Sequence, residues 1–468
     1  MRNKEKLYMI ASTALFLFLI IVSSTASVVT AQNVSPKITE TRITTNGFAV
    51  TPAIYGDRIV YQDYYNGNSD IYMYNISTSE EIQITTNESI QWSPAIYSDR
   101  IVWIDERAGS EIYMYNLSTS KETRITNTKI KNNESLGIYD GKVYPAIYED
   151  RIVWFDIRNG NRAIYMYNFT TSRESQITTI KSDKERPAIY GDRIVWSDGS
   201  NGKFDIYMYD LFTGKETRIT TSGSAYSPDI YGDKIVWQND PNSDGNYDIY
   251  MYNLSTSKET RITTSGKAYI PSIYGDRIVW EDYRNPTETN NTIDEIPLPT
   301  TPALGDIYMY DLSTSKEYRI TANPSTEQMD RPAIYDDRIV WQGGLYGDLK
   351  PDIYMATLSY LPVAAFSASS TSGNAPMKVS FTDKSTGSPT SWKWNFGDGA
   401  NSTQQNPEHI YSTEGNYTVN LTVSNADGMD TNTNKINVKS VPHTTPGGFN
   451  FLILVMIVLY LCKKSTRN

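Results

Sequence analysis

The chain carries 53 acidic and 43 basic side chains over 468 residues, a formal charge of −10, and one cysteine. That length exceeds a single small domain, and an acidic balance with no basic block argues against nucleic acid as a partner. The lone Cys462 excludes an intramolecular disulfide but leaves export open, because a large repeat core needs no covalent staple.

Residues 1–31 read as a secretory signal peptide. Arg2, Lys4 and Lys6 form a basic start, Leu7 to Val22 an apolar stretch, and Val29-Thr30-Ala31 a cleavage site before Gln32. The alternative is an uncleaved N-terminal anchor helix.

Seven copies of one unit follow, each holding a variant of P-A-I-Y-G-D-R-I-V-W. They begin at Pro52, Pro94, Pro145, Pro187, Pro228, Pro271 and Pro332. A second segment in each ends in I-Y-M, at Met73, Met114, Met166, Met208, Met251, Met309 and Met355. A period of about 40–45 residues rich in strand formers predicts an all-β fold, a β-propeller. Each unit reads as four short strands: P-A-I-Y, a tight G-D turn, R-I-V-W-x-D, a loop, D-I-Y-M-Y, an S-T-S-K turn, and E-T-R-I-T. Ser98, Glu149 and Asp336 replace the turn glycine, so that position does not require it.

The ends of the array carry the closure. The last unit stops after Ile353-Tyr354-Met355 without an R-I-T strand, and the array opens on an orphan one, Thr41-Arg42-Ile43-Thr44. Pairing the two predicts a ring of seven blades with no exposed edge. Insertions at Asn127–Val143 and Asn285–Leu304 read as surface loops.

Repeated seven times, the pattern resembles the TolB-like propeller repeats, which run strand, G-x-R-I-x-(F/W), D-x-R-x-G, D-I-Y, turn, x-(R/x)-(I/L)-T. The D-x-R-x-G element survives as Asp105-Arg107-Gly109 and Asp156-Arg158-Gly160. The resemblance implies a seven-bladed propeller over 37–359. Its members are binding modules or regulatory caps on enzymes.

Residues 360–440 hold Trp394-Asn395-Phe396-Gly397-Asp398-Gly399, His409-Ile410-Tyr411 and Gly415-Asn416-Tyr417-Thr418-Val419. These motifs resemble a PKD (polycystic-kidney-disease) domain, which implies an immunoglobulin-like β-sandwich used as an extracellular spacer or adhesion module. Alternation through Tyr417–Val423 independently predicts a half-buried strand. A linker follows at 441–448, then an apolar segment at 449–462 and a basic tail at 463–468. Fourteen helical residues span only about 21 Å, short of the roughly 30 Å hydrocarbon core. The Pro446-Gly447-Gly448-Phe449 start, short apolar run and basic end resemble the C-terminal sorting signals of archaeal surface proteins, in which a lipid anchor replaces the tail. A retained short membrane anchor is the alternative. The whole order of parts resembles cell-surface proteins of methanogenic archaea.

Catalytic parts are scarce. The histidines are His409, in the PKD motif as a packing and hydrogen-bonding residue, and His443, in the linker. The propeller therefore offers no His base and no Ser-His-Asp set. Its carboxylates recur from unit to unit, whereas a catalytic residue should be unique in the ring. No catalytic residue is assigned.

Three sets of candidate sites remain. Asp240, Asn242, Asp244, Asn246 and Asp248 present oxygen ligands at the spacing of the front of an EF-hand-like loop, with Gly245 at the turn, a candidate Ca2+ site. The alternative is a polar loop whose Asp248 only opens a strand. Two residues before each proline the chain reads Val50, Trp92, Val143, Glu185, Tyr226, Tyr269 and Asp330, varying where its surroundings repeat. Trp92, Glu185, Tyr226, Tyr269 and Asp330 would suit a glycan or protein segment at one mouth of the channel; simple tolerance of substitution is the safer explanation of the variation. Sequons outside the signal stand at Asn33, Asn75, Asn87, Asn116, Asn133, Asn168, Asn253, Asn290, Asn401, Asn416 and Asn420. Asn75, Asn116, Asn168 and Asn253 share a repeat position held elsewhere by Asp210 and Asp311, which points first to turn formation. These readings predict an exported, membrane-attached envelope protein that binds proteins or glycans. A carbohydrate-binding protein, or a lyase or glycosidase acting at the channel mouth, is the runner-up.

Overall fold

The computed structural model describes residues 35–127, 144–158, 162–200, 202–284, 292–293, 296–297, 305–321, 327–345 and 350–440. The chain divides between Ser359 and Tyr360 into two compact units. The signal segment, the insertion at 128–143, most of 285–304 and everything after 440 lie outside the described residues.

Residues 37–359 form seven four-stranded antiparallel sheets. Blades 1 to 7 are numbered by their first strands: Ala49–Tyr55, Gln91–Tyr97, Ala146–Tyr148, Lys184–Tyr190, Ala225–Tyr231, Ala268–Tyr274 and Glu327–Tyr335. In blade 1 the remaining strands are Arg58–Asp63, Asp70–Asn75 and Glu80–Gln83. The R-I-V-W strand is apolar on both faces because neighbouring blades cover both. Ile101, Val102 and Trp103 are fully buried, as are Ile278, Val279 and Trp280. The tryptophan stacks on the third-strand tyrosine, with centroids 6.3 Å apart for Trp103 and Tyr113 and 6.1 Å for Trp280 and Tyr308. In blades 4 and 6 its indole N–H is donated to the aspartate two residues on, Trp196 to Asp198 at 3.1 Å and Trp280 to Asp282 at 3.0 Å; in blade 7 Trp341 meets the Met329 sulfur instead.

The R-I-T strand is fixed by a buried carboxylate. The Thr263 hydroxyl donates to Asp248 at 2.7 Å and accepts the Ile249 N–H at 2.9 Å, and Arg261 caps the same carboxylate. Thr220 and Arg218 hold Asp205 in the same way. A buried carboxylate is tolerable only when its oxygens are met by donors.

Closure follows the orphan-strand expectation. Lys37–Arg42 pairs antiparallel with Asp352–Ser359, from Lys37 opposite Ser359 to Arg42 opposite Tyr354. The Asp–Thr–Arg tie is then completed across the two ends of the propeller: Thr44 donates to Asp352 at 2.7 Å, and Arg42 pairs with the same residue. Ile54, Ile59 and Tyr61 of blade 1 pack in one core with Val340, Ile353 and Met355 of blade 7.

The unit at 360–440 is a sandwich of two sheets. One contains Phe366–Ala368, Met377–Asp383 and Glu408–Tyr411; the other contains Ser372–Asn374, Gly428–Lys439, Gly415–Asn425, Ser391–Asn395 and Asn401–Ser402. Val379, Phe381, Trp394, Phe396, Tyr411, Leu421 and Ile436 fill its core. Gly397 sits at φ +85, where a Cβ would meet the Thr418 carbonyl at 2.6 Å, so the W-x-F-G-D-G turn needs glycine there. His409 stacks on Phe396 at 4.2 Å and hydrogen-bonds Asp398 at 2.7 Å.

Candidate functional site

Alternation of strand direction gives the propeller two unlike ends. The G-D and S-T-S-K turns share one end, where the Ser77 hydroxyl donates to Asp57 at 2.6 Å. The longer loops share the other.

The turn end is a closed structural collar. The basic residue that opens each second strand donates to the turn carbonyl of the next blade: Arg58 to Ser98 at 2.9 Å, Arg100 to Glu149 at 2.9 Å, Arg277 to Asp336 at 2.7 Å. Arg338 to Gly56, at 3.0 Å, completes the circle. Inside it, Tyr55, Tyr97, Tyr148, Tyr190, Tyr231, Tyr274 and Tyr335 form an unbroken ring, with adjacent centroids 4.7–5.0 Å apart. Burial, then the neighbouring tyrosine, pushes Tyr97 up to about 12 and raises Tyr274 and Tyr335 as well.

The turns at this end are built by the shared Asn/Asp position. Thr119, Thr171 and Thr256 donate their N–H to the side-chain oxygens of Asn116, Asn168 and Asn253 at 2.8–3.1 Å, and Thr213 donates to Asp210 at 2.8 Å. Ser77 donates to Asn75 at 3.0 Å. Side-chain nitrogens of Asn116 and Asn168 donate to Asp99 and Asp150. A glycan would attach at that side-chain nitrogen, leaving the Oδ1 acceptor of the turn in place. Asn87, Asn401, Asn416 and Asn420 are at least partly exposed; Asn33, Asn133 and Asn290 lie outside the described residues.

At the loop end, the innermost strand breaks register just before its proline. In blade 1 Val50 faces Gln62 and Ala53 faces Val60, so two residues oppose one. Equivalent bulges fall between Trp92 and Ala95, Glu185 and Ala188, Tyr226 and Asp229, Tyr269 and Ser272, and Asp330 and Ala333. The residue directly before the proline adopts positive φ, from +47 to +54, at Thr51, Ser93, Arg186, Ser227, Ile270 and Arg331. Positive φ is costly for β-branched Thr and Ile, and such strain gathers at functional sites. The next blade's bulge N–H is met from behind: Thr51 donates to Gln342 at 2.8 Å, Ile270 to Gln238 at 2.9 Å.

A cavity of about 210 Å³ opens on the axis, lined by Thr51, Ser93, Tyr144, Arg186, Ile270 and Arg331 with intervening prolines. The bulge therefore corrects the sequence expectation. One extra residue rotates the strand, so the channel wall is built one position later than the Trp92–Asp330 set. The five expected residues share the loop end, but all are half-buried. Trp92 packs against the core between blades 2 and 3 and donates its indole N–H to Glu106 at 3.1 Å. Glu185 is ion-paired with Arg162. Tyr226 and Tyr269 do come together: they belong to an arc running Phe204, Tyr226, Tyr247, Tyr269, Tyr283, with successive centroids 5.1–6.2 Å apart. Elsewhere on the loop end, on blade 1 and the connections into blades 1, 2 and 4, Phe48, Tyr64, Tyr65, Ile90 and Ile180 expose 36–64% of their surface.

One carboxylate at this end is unique in its repeat position. Glu281 stands where the other blades have Gln62, Ile104, Phe155, Ser197, Gln238 and Gln342. It is 5% exposed and accepts the Arg331 N–H at 3.3 Å. Burial, then the nearby Asp330, pushes it up to about 7, against the pull of the Arg331 N–H and of the Arg331 and Arg186 charges. Comparing the units at this position would have revealed it in the sequence; the wall residues Tyr144, Arg186 and Arg331 needed the bulge.

The Ca2+ candidate is not assembled. The two oxygens of Asp240 take the N–H groups of Asp244 and Gly245 at 3.1 and 2.9 Å, and Asp244 takes that of Asn246 at 3.0 Å. Asp248 is engaged by Arg261 and Thr263, and Asn242 is exposed. Among the described residues no group of three His, Cys, Asp or Glu side chains is placed to hold a metal ion.

The architecture is thus a closed seven-bladed propeller followed by a β-sandwich. Residues 361–440 match the PKD domain family. The chain is 43% identical over 65 residues to collagenase ColA of Bacillus cereus, a match spanning 14% of this chain and only 7% of the collagenase. The propeller is similar to TolB from Acinetobacter baumannii, at TM-score 0.42 and 18% identity over 60% of this chain and 67% of that one. It is also similar to oligogalacturonate lyase from Vibrio parahaemolyticus, at TM-score 0.50 and 11% identity over 69% of this chain and 97% of the lyase. At these identities the likeness is one of fold.

Proposed function

We propose that this is an exported, non-catalytic surface protein whose propeller engages envelope glycans or proteins through its loop end, with the PKD unit as spacer or adhesion module. The observation that carries this reading is the contrast between the two ends. Among the described residues, the turn end is sealed on the axis by the arginine clasps and the tyrosine ring and exposes the single large apolar side chain Phe212 on a turn, while the loop end holds the aromatic arc, five exposed apolar side chains and the axial cavity. Exposed apolar groups clustered in this way mark contact surfaces. In this reading residues 1–31 direct export, the 449–462 segment attaches the protein to the membrane or is exchanged for a lipid, and exposed sequons carry glycans. The order of parts is that of archaeal, methanogen-type surface proteins.

Glu281 supports a second reading, a carbohydrate-active lyase or glycosidase, because a buried carboxylate raised toward neutrality is what a general acid requires. The test is a polysaccharide panel incubated with residues 32–440, scored both for retention and for released saccharide. Retention with no release supports binding; release abolished by Glu281→Gln would install the enzyme in its place.

A further inference from the structure

We infer that the axial cavity takes the carboxylate of an acidic sugar between Arg186 and Arg331. The inference rests on the loop-end reading and names its ligand.

The two arginines stand at the one repeat position that forms the channel wall, three blades apart, so they approach the axis from different sides. Arginines elsewhere in the propeller are largely committed: Arg107 to Asp105 and Glu122, Arg158 to Asp156 and Glu174, Arg284 to Asp282 and Glu317. Arg186 instead lies over the Tyr144 ring at 5.1 Å, and neither it nor Arg331 forms an ion pair within 4 Å among the described residues. A guanidinium presents a planar fork of donors that matches a carboxylate. Asp330 and Glu281 are the carboxyls that share this field: Asp330 repels the Glu281 carboxylate, and burial with that repulsion raises Glu281 to about 7, so the pair offsets the two guanidinium charges only in part.

The rest of the wall favours a sugar over a peptide strand. A strand would need backbone donors, but Pro52, Pro94, Pro145 and Pro332 have none, and the N–H groups of Thr51, Ile270 and Arg331 are already given to Gln342, Gln238 and Glu281. What remains is side-chain chemistry: hydroxyls of Thr51, Ser93 and Tyr144, and the apolar faces of Ile270 and the prolines. Hydroxyls beside apolar faces suit a polyhydroxylated ring. A cavity of about 210 Å³ is smaller than the roughly 300–1,000 Å³ of drug-sized pockets, so it admits one ring of a chain.

The test is calorimetric titration of the mature chain with D-glucuronate, D-glucose, acetate and sulfate. Arg186→Gln, Arg331→Gln and, on the turn end, Phe212→Ala serve as variants, with melting temperatures checking the fold. We expect glucuronate to bind at least tenfold tighter than glucose, acetate or sulfate. Either glutamine variant should lose about tenfold or more at an unchanged melting temperature, and Phe212→Ala should bind as wild type. Glucuronate binding no tighter than glucose overturns the site. Acetate or sulfate binding as tightly as glucuronate overturns the sugar and leaves a plain oxyanion. If both glutamine variants unfold early, glucuronate protection of the wild type from heat, absent with glucose, decides the matter instead. Envelope polysaccharide retained equally by wild type and both glutamine variants sinks the acidic-sugar site but not the loop-end reading. Arginine-dependent glucuronate binding without polysaccharide retention does the reverse.

Discussion

Replacing Glu281 by Gln should stabilise the protein at alkaline pH and leave it unchanged in acid. Gln occupies the equivalent position at Gln62, Gln238 and Gln342, and Gln238 and Gln342 accept the bulge N–H of the following blade. The substitution therefore keeps the acceptor for Arg331 and removes only the titration. A carboxyl raised from 4.5 to about 7 binds its proton more tightly folded than unfolded. Its contribution to stability is present below pH 4.5 and is lost as pH rises to about 7. At roughly 1.4 kcal/mol per pH unit over about 2.5 units, the loss is at most about 3.5 kcal/mol. Urea unfolding of both proteins at pH 5, 6, 7 and 8 reads this directly. The variant should gain on wild type across that range and lead by about 2–3 kcal/mol at pH 8. Parallel curves from pH 5 to 8 would refute the reasoning, since Glu281 would then titrate as an ordinary exposed carboxyl.

Thr44→Val removes two buried hydrogen bonds that tie the first strand to blade 7 and should cost about 1–3 kcal/mol in chemical unfolding, while deleting 32–46 should cost far more; a deletion that melts like wild type contradicts closure. Trp92→Ala should destabilise by about 2–4 kcal/mol, because its ring packs in the core between blades 2 and 3, whereas Tyr226→Ala should weaken ligand retention by about 1–3 kcal/mol; the reverse pattern would restore Trp92 to the binding surface. Melting temperatures in chelator and in millimolar calcium should coincide, since the Asp240 loop satisfies its own carboxylates; a rise with calcium that Asp240→Ala abolishes would revive the cation site. Mass spectrometry of the native protein should find no peptide from 449–468 if the tail is exchanged for a lipid, and an intact Lys463-Lys464 end if it is retained.

The propeller was legible because its signals repeat. Seven variants of the R-I-V-W segment buried on both faces, and a spare R-I-T strand ahead of the array, define blade number and closure without coordinates. The W-x-F-G-D-G and H-x-Y motifs placed the sandwich for a different reason: Gly397 and Tyr411 answer single steric and hydrogen-bonding demands, the Tyr411 hydroxyl donating to the Phe396 carbonyl at 3.0 Å. The channel wall was less legible. A residue before proline is expected to be extended, so nothing in the sequence announces positive φ at Thr51 or Arg331. A one-residue bulge then moves the wall from Asp330 to Arg331 and from Glu185 to Arg186, changing its charge. The tyrosine ring was hidden differently: each tyrosine reads locally as a strand former, and only closure brings seven together.

The central claim is that the loop end binds and the turn end does not. Hydrogen exchange of residues 32–440, with and without a panel polysaccharide that they retain, tests it most directly. The account predicts slowed exchange in the loop-end segments around Phe48, Tyr65, Ile90 and Tyr247, with no change in the turns at Asp57, Asp99 and Asp233. Protection confined to those turns, or to the PKD unit alone, would contradict it.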